Sequence, residues 1–222
     1  MADIGWGHLQ KYVKFGELGD MKQDYKIVPF HEATTNYEDY RHASHAMFFA
    51  PDDYVLWDLY RSRAAVLMQM RFDGIMGFPG GLQESGEDPT EACNRELVEE
   101  MCLDLSKYSL KDSDHMITYV NDDKLLVLHF YVKQVSLEDF KEIEKGILLA
   151  KEYGIETLGI VRPPLYTMGD GLRGLPAFLA NGFSGNAREE LLLALIHFKI
   201  LTEEECQQAV EASKDILRKN NA

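Results

Sequence analysis

The chain is short of three things, and each shortage excludes a class of protein. No apolar run in its 222 residues approaches the roughly 20 needed to cross a bilayer as a helix, so no membrane partner is expected. Its three cysteines, Cys93, Cys102 and Cys206, have neither metal-finger nor disulfide spacing, which argues against a stapled scaffold and for a reducing compartment. Positive charge is scarce: 23 Lys and Arg stand against 37 Asp and Glu, a net charge of −14. Binding to long nucleic-acid duplexes needs a basic footprint that this balance does not supply. The opening MADIGWGHLQKYVKFG lacks the apolar centre of a signal peptide. A nuclear or cytoplasmic protein is therefore expected.

What is present is globular in kind, with 45% hydrophobic and 27% charged residues. We divide the chain into an N-terminal appendage, 1–40, mixed and weakly periodic, and one domain, 41–222. Within the domain, ASHAMFFA (43–50) and AAVLMQM (64–70) read as strands, the second followed by an RFDG turn. HMITYV and KLLVLHFYVKQV read as a hairpin around NDD. SLEDFKEIEKGILLAKEYG reads as a Ser-capped helix ending at Gly154, and ETLGIVRPPLY as a last strand or edge stopped by its prolines. Two helices close the chain, the second capped by Thr202. Strands flanked by helices predict an α/β sandwich with a mixed central sheet.

The densest information lies in GGLQESGEDPTEACNRELVEEMCL, Gly80 to Leu103. Asp88 is a good N-cap, Pro89 a favoured first helical residue, and Glu91 completes a capping box. On the helix that follows, Glu96, Glu99 and Glu100 fan over less than half the circumference. Each unrelieved like-charge pair costs a few tenths of a kcal/mol, so a cation is expected there. Hard oxygen ligands point to Mg²⁺ or Mn²⁺. Residues 84 to 100 hold seven acids against one base, which accounts for part of the acidity.

This segment resembles the Nudix box, G-x5-E-x7-R-E-U-x-E-E-x-G-U, with U aliphatic. Gly81, Glu87, Arg95, Glu96, Leu97, Glu99, Glu100 and Leu103 match; Cys102 replaces the last Gly, where it is expected to alter a turn more than the chemistry. RHASHAM, VLMQMRFDG, GFPGG, LGIVRPPLY, GDGLRGLPAFL and GNAREELLLAL carry a further resemblance to the snoRNA-decapping and inosine diphosphate-hydrolysing branch of Nudix enzymes. That resemblance implies metal binding by the Gly80 carbonyl, Glu96 and Glu100, with Glu99 close by and His115 as a further contact. It implies a general base at Glu99 or Glu100, with Arg95 orienting carboxylates and Glu87 bracing the loop. It also implies that His45 and Phe78 contact a purine, that Arg71 meets phosphate or the base edge, and that the enzyme is a homodimer.

One departure carries chemistry. Where this branch has Gln in its ARE-Q-LL segment, the chain has Glu190. A Gln amide both donates and accepts, whereas an ionised carboxylate only accepts. Ionised Glu190 is therefore expected to favour guanine, with its N1–H and amino group, over hypoxanthine. The activity implied is metal-dependent hydrolysis of a phosphoanhydride in IDP, GDP or a capped RNA 5′ end. The alternatives are an ADP-ribose or nucleotide-sugar diphosphatase, and a catalytically silent binding module like a relative of this branch that lost its metal carboxylates.

Overall fold

The computed structural model describes residues 25–220. A six-stranded mixed sheet is built from β1 (Lys26–Val28), β2 (Arg41–Leu56), β3 (Tyr60–Val66), β6 (Gly80–Leu82), β7 (His115–Asn121) and β8 (Leu126–Gln134). Its order is β1-β7-β8-β2-β3, with β6 also pairing to β2; β2 and β8 are parallel and the other pairs antiparallel. A smaller antiparallel sheet, β5-β4-β9, comprises β4 (Met68–Arg71), β5 (Met76–Gly77) and β9 (Thr157–Val161).

Strand β2 explains the layering. Its AMFFA stretch is apolar on both faces because both faces are covered. Met47 and Phe49 join Phe78, Phe130 and the helices α5 (Leu175–Leu179), α6 (Ala187–His197) and α7 (Glu203–Asn220). Ala46, Phe48 and Ala50 face α2 (Pro89–Met101) and α4 (Leu137–Ile147), meeting Cys93, Leu97, Phe140 and Ile143. Short α3 (Leu105–Tyr108) adds Tyr108 to that second core. The AAVLMQM run divides between the sheets at Leu67, whose N–H still reaches Phe48 O at 3.0 Å while Met68 already pairs with Val161.

The sheet begins ahead of the boundary drawn at residue 41. β1 pairs with β7 from Lys26 opposite Val120 to Val28 opposite Thr118. Helix α1 (Phe30–Asn36) buries Ala33 beside Val28, Val120 and Val127. Residues 25–40 are thus joined to the main sheet, and residues 1–24 lie outside the described residues. A second difference is at α4, which stops at Ile147 instead of Gly154. The chain turns there, and Gly154 takes φ +82° in a later turn.

Candidate active site

The predicted carboxylate helix is present with its caps. Asp88 accepts from the N–H groups of Thr90 and Glu91, both at 2.8 Å, and the Glu91 carboxylate accepts from Asp88 N–H at 3.1 Å. Cys102 ends α2 in the left-handed region at φ 53°, as its alignment with Gly requires. Arg95 fastens the preceding loop to the helix. Its Nε and Nη2 reach the Glu87 carboxylate at 2.7 and 3.0 Å, and Nη2 also donates to Leu82 O at 2.9 Å. Its Nη1 lies 2.8 Å from Glu96 and 3.5 Å from Glu99. Glu87 and Arg95 therefore hold the site together and point at each other.

Two glycines permit close approaches here, Gly80 to the backbone of β2 and Gly81 to the Glu96 carboxylate. A Cβ on Gly80, at φ +138°, would sit 2.1 Å from Ser44 O, and one on Gly81 would sit 2.6 Å from the Glu96 carboxylate. Glu100 is 3% exposed, accepting from Gly80 N–H at 2.7 Å and from Gln69 Nε2 at 3.1 Å. Gln69 is held in turn by Thr157 Oγ1 at 2.9 Å. Burial, with the charge of Glu96 behind it, pushes the Glu100 carboxyl up to about 7 against those two hydrogen bonds and Arg71. Glu96 is also raised, first by burial and then by Glu99 and Glu156, against its pair with Arg95. Glu99 meets Lys151 at 3.0 Å.

Raised, adjacent carboxylates mark a place short of positive charge, and their oxygens suit a hard divalent cation. The donor chemistry fits Mg²⁺ or Mn²⁺. The full ligand set is not assembled: among the described residues no three acidic, His or Cys side chains are gathered closely enough to hold an ion. Arg95 stands beside Glu96 and Glu99 as their counter-charge.

His115 is placed elsewhere. Its Nε2 is 2.8 Å from Thr118 Oγ1, which is 3.0 Å from His129 Nδ1. His129 Nε2 is 2.9 Å from His42 Nδ1, and His42 Nε2 is 3.0 Å from Tyr37 O. A carbonyl only accepts, so with neutral rings the direction is fixed: His42 donates to Tyr37, His129 to His42, Thr118 to His129 and His115 to Thr118. His115, expected as a further metal contact, has its Nε2 engaged in this chain, and no contact among the described residues joins it to the carboxylates. Burial, helped by the neighbouring histidines, pushes His129 down to about 3.

The residues expected to meet purine divide. Partly buried His45 lies on β2 opposite Gly80, pushed down to about 4 by burial and by the charge of Arg71. Arg71 pairs with Asp73 at 3.1 Å and crosses Gly77, where a Cβ would come within 2.9 Å of its Cδ. Its charge acts on both His45 and Glu100. Phe78 is more deeply buried than His45 or Arg71. It is 1% exposed and packed in the core, with its ring 5.1 Å from that of Phe130.

Glu190 is buried as well. It is 2% exposed on the inner face of α6 with Ala187, Leu191 and Ala194, and its Oε1 has no hydrogen-bond partner. Burial, with the charge of Glu189 behind it, pushes its carboxyl up to about 8.

Sequence reading missed Gln69 and Thr157, the clamp on Glu100, and Lys151, the partner of Glu99. Gln69 carried a signal in being polar at the centre of an apolar run, where a buried group needs a partner. Lys151 carried none.

Comparison with known proteins now bears on this geometry. Residues 42–201 match the family described as "Nudt16-like: U8 snoRNA-decapping enzyme-like". The chain is 49% identical over 178 residues to a U8 snoRNA-decapping enzyme of Homalodisca vitripennis, covering 80% of this chain and 95% of that one. It is 43% identical to the U8 snoRNA-decapping enzyme of Mus musculus, covering 81% and 92%. It is also 36% identical to the Tudor-interacting repair regulator protein of Homo sapiens, covering 80% and 83%. Nudix hydrolases generally use divalent metals, which agrees with the donor chemistry of α2. With the box intact on a capped helix and most of the chain covered, the protein belongs to the Nudt16-like, U8 snoRNA-decapping enzyme-like family of Nudix hydrolases.

Proposed function

We propose that this chain hydrolyses a phosphoanhydride bond in substrates built on a purine nucleoside diphosphate, as free IDP or GDP or as the cap of an RNA 5′ end. The observation that carries the reading is the position of Arg71, whose charge acts on Glu100 on one side and His45 on the other. A phosphate chain lying along it would run from the carboxylates to a purine beside His45. The relatives named as snoRNA-decapping enzymes support a capped RNA. The acidity of this chain favours contact with the cap over contact with a long RNA body.

Glu96 and Glu100, with the Gly80 carbonyl, would hold Mg²⁺ or Mn²⁺, which when bound neutralises phosphate oxygens and activates water. Glu99 is the better general base of the two candidates. Its oxygens meet only Lys151 and, at 3.5 Å, Arg95, whereas both Glu100 oxygens are engaged by Gln69 and Gly80. Arg95 positions Glu96 and Glu99. His45, held neutral, offers a hydrogen bond to the base without a charge to desolvate. Kinship also favours a homodimer, which light scattering would check.

The test is product analysis with Mn²⁺ or Mg²⁺ on IDP, GDP, ADP-ribose and short capped RNA. The wild type is expected to turn over a purine diphosphate or the capped RNA. Combining Glu99→Gln with Glu100→Gln should lower kcat by about 10³-fold or more. ADP-ribose as the best substrate would replace this reading with a nucleotide-sugar diphosphatase. No turnover at saturating metal would move the chain to a binding role, as the name of its Tudor-interacting relatives describes for those proteins.

A further inference from the structure

Beside the carboxylates stands a cation to which the reading above gives no contact with substrate. Lys151 lies just past α4, with its Nζ 3.0 Å from Glu99 Oε1 and 3.4 Å from Glu152 Oε1. The backbone around it is fixed at both ends. Glu152 N–H donates to Glu99 O at 3.0 Å, and Phe72 N–H, next to Arg71, donates to Glu156 O at 2.9 Å. Arg71 itself lies opposite Thr157 in the smaller sheet. Residues 151–157 are thus strapped to α2 at one end and to the strand end that carries Arg71 at the other. The Lys151 side chain is 69% exposed, so a fixed backbone holds a free ammonium over Glu99.

The arginines of the site are more firmly committed. Arg95 divides its guanidinium among Glu87, Leu82 O and Glu96. Arg71 meets Asp73 through Nε and Nη2 and lies over the Phe72 ring at 5.4 Å. Lys151 is held only by ion pairs at the surface, which contribute little to stability and exchange readily. Its ammonium is a point charge with three donors, so one N–H can stay on Glu99 while another meets a second acceptor. A diphosphate brings further negative charge to a surface where Glu96, Glu99 and Glu100 already gather. A metal ion balanced by its own carboxylate ligands leaves the outer phosphate in need of another cation.

We propose that Lys151 binds the substrate phosphate farther from the purine, and that this contact lets the site prefer diphosphates to monophosphates. With the purine beside His45 and the phosphate chain along Arg71, the nearer phosphate meets Arg71. The farther one passes Glu99, where Lys151 stands on the solvent side. The ammonium donates one N–H to Glu99 and another to a phosphate oxygen. In a free nucleoside diphosphate the farther phosphate is terminal; in a capped RNA it lies on the way to the RNA body. One lysine therefore serves both substrate types. It also gives an acidic chain a hold on the RNA side of a cap without a basic groove.

This inference rests on the purine reading above, so its test is binding and not turnover. The whole chain with Mg²⁺ would be titrated calorimetrically with GMP and with the α,β-methylene analogue of GDP, whose bridging carbon resists hydrolysis. Lys151→Met should weaken the diphosphate analogue roughly tenfold, the order of one charge-assisted hydrogen bond, and leave GMP nearly unchanged. Lys151→Arg keeps a charge and donors and should recover most of the loss. Lys145→Met, in the last turn of α4, should change neither ligand and so controls for the loss of a charge as such. An unchanged diphosphate affinity in Lys151→Met would overturn the inference, and a fall in kcat alongside it would leave Lys151 as the partner of Glu99 alone. A loss shared equally by GMP, or matched by Lys145→Met, would overturn it too. Each of these leaves the purine reading standing. Binding of neither nucleotide by the wild type would overturn the purine reading and this inference with it.

Discussion

The carboxylate helix α2 and the inner face of α6 are finished to different degrees. At the carboxylate end every acidic group is held: Glu100 by Gln69 and Gly80, Glu96 by Arg95, Glu87 by Arg95 and a backbone N–H, Glu99 by Lys151. On α6 Glu190 is buried with an oxygen unpartnered. The difference shows where the fold supplies its own partners and where it leaves a partner to be brought. The first end is organised before substrate arrives, which suits chemistry that depends on fixed geometry. The second bears the free-energy cost of an unpartnered buried oxygen.

If that contrast is right, substitutions at the two ends change stability with opposite sign. Arg95→Ala leaves Glu87 and Glu96 without their cation and should destabilise the protein by about 1–3 kcal/mol in urea unfolding, with turnover falling alongside. Unchanged stability would show that the loop is held by something other than the Glu87–Arg95 pair. The pH profile divides in the same way. His129 and His45 have depressed values, so the unfolded chain takes up protons first as pH falls, and stability is lost from about pH 6.5 down toward 3. Glu100 and Glu190 have raised values, so their contribution is complete below about pH 4.5 and is lost as pH rises through 7 and 8. Each group tilts the profile by at most about 1.4 kcal/mol per pH unit. Glu190→Gln should flatten the alkaline limb and leave the acid limb alone; flattening of neither would remove Glu190 from the account.

Smaller effects sharpen the comparison. Glu190→Met removes the unpartnered oxygen and should raise stability by about 1 kcal/mol, readable as a higher urea midpoint at unchanged slope; a loss would mean that the carboxyl already has a partner. Cys102→Gly relieves a left-handed Cys, worth about 1 kcal/mol locally, but loosens the unfolded chain by nearly as much. A net gain of a few tenths of a kcal/mol is expected, with turnover unchanged.

How much of this was legible depended on how local the cause was. The box helix, its caps and the Glu87–Arg95 brace were readable because each involves residues within about two turns or one loop. The hairpin of β7 and β8 was readable from two apolar runs separated by NDD. Phe78 was not, since its burial is decided by Phe130 and by helices about a hundred residues away. Nor was His115, because an aligned position does not reveal that Thr118 occupies its nitrogen. The burial of Glu190 was not legible either, because its formal charge gives no sign of a closed interior. The edge strand β1 was missed because KIV is too short to show a period.

The histidine chain makes the domain its own spectroscopic reporter. The His129 imidazole proton is sealed from solvent and donated to a single acceptor, so it should exchange slowly enough to give a resolved downfield resonance. His129 also senses His45 electrostatically. A nucleotide seated beside His45 should therefore move that one signal without touching the group that produces it, and its arrival could be followed without a label, a substitution or turnover.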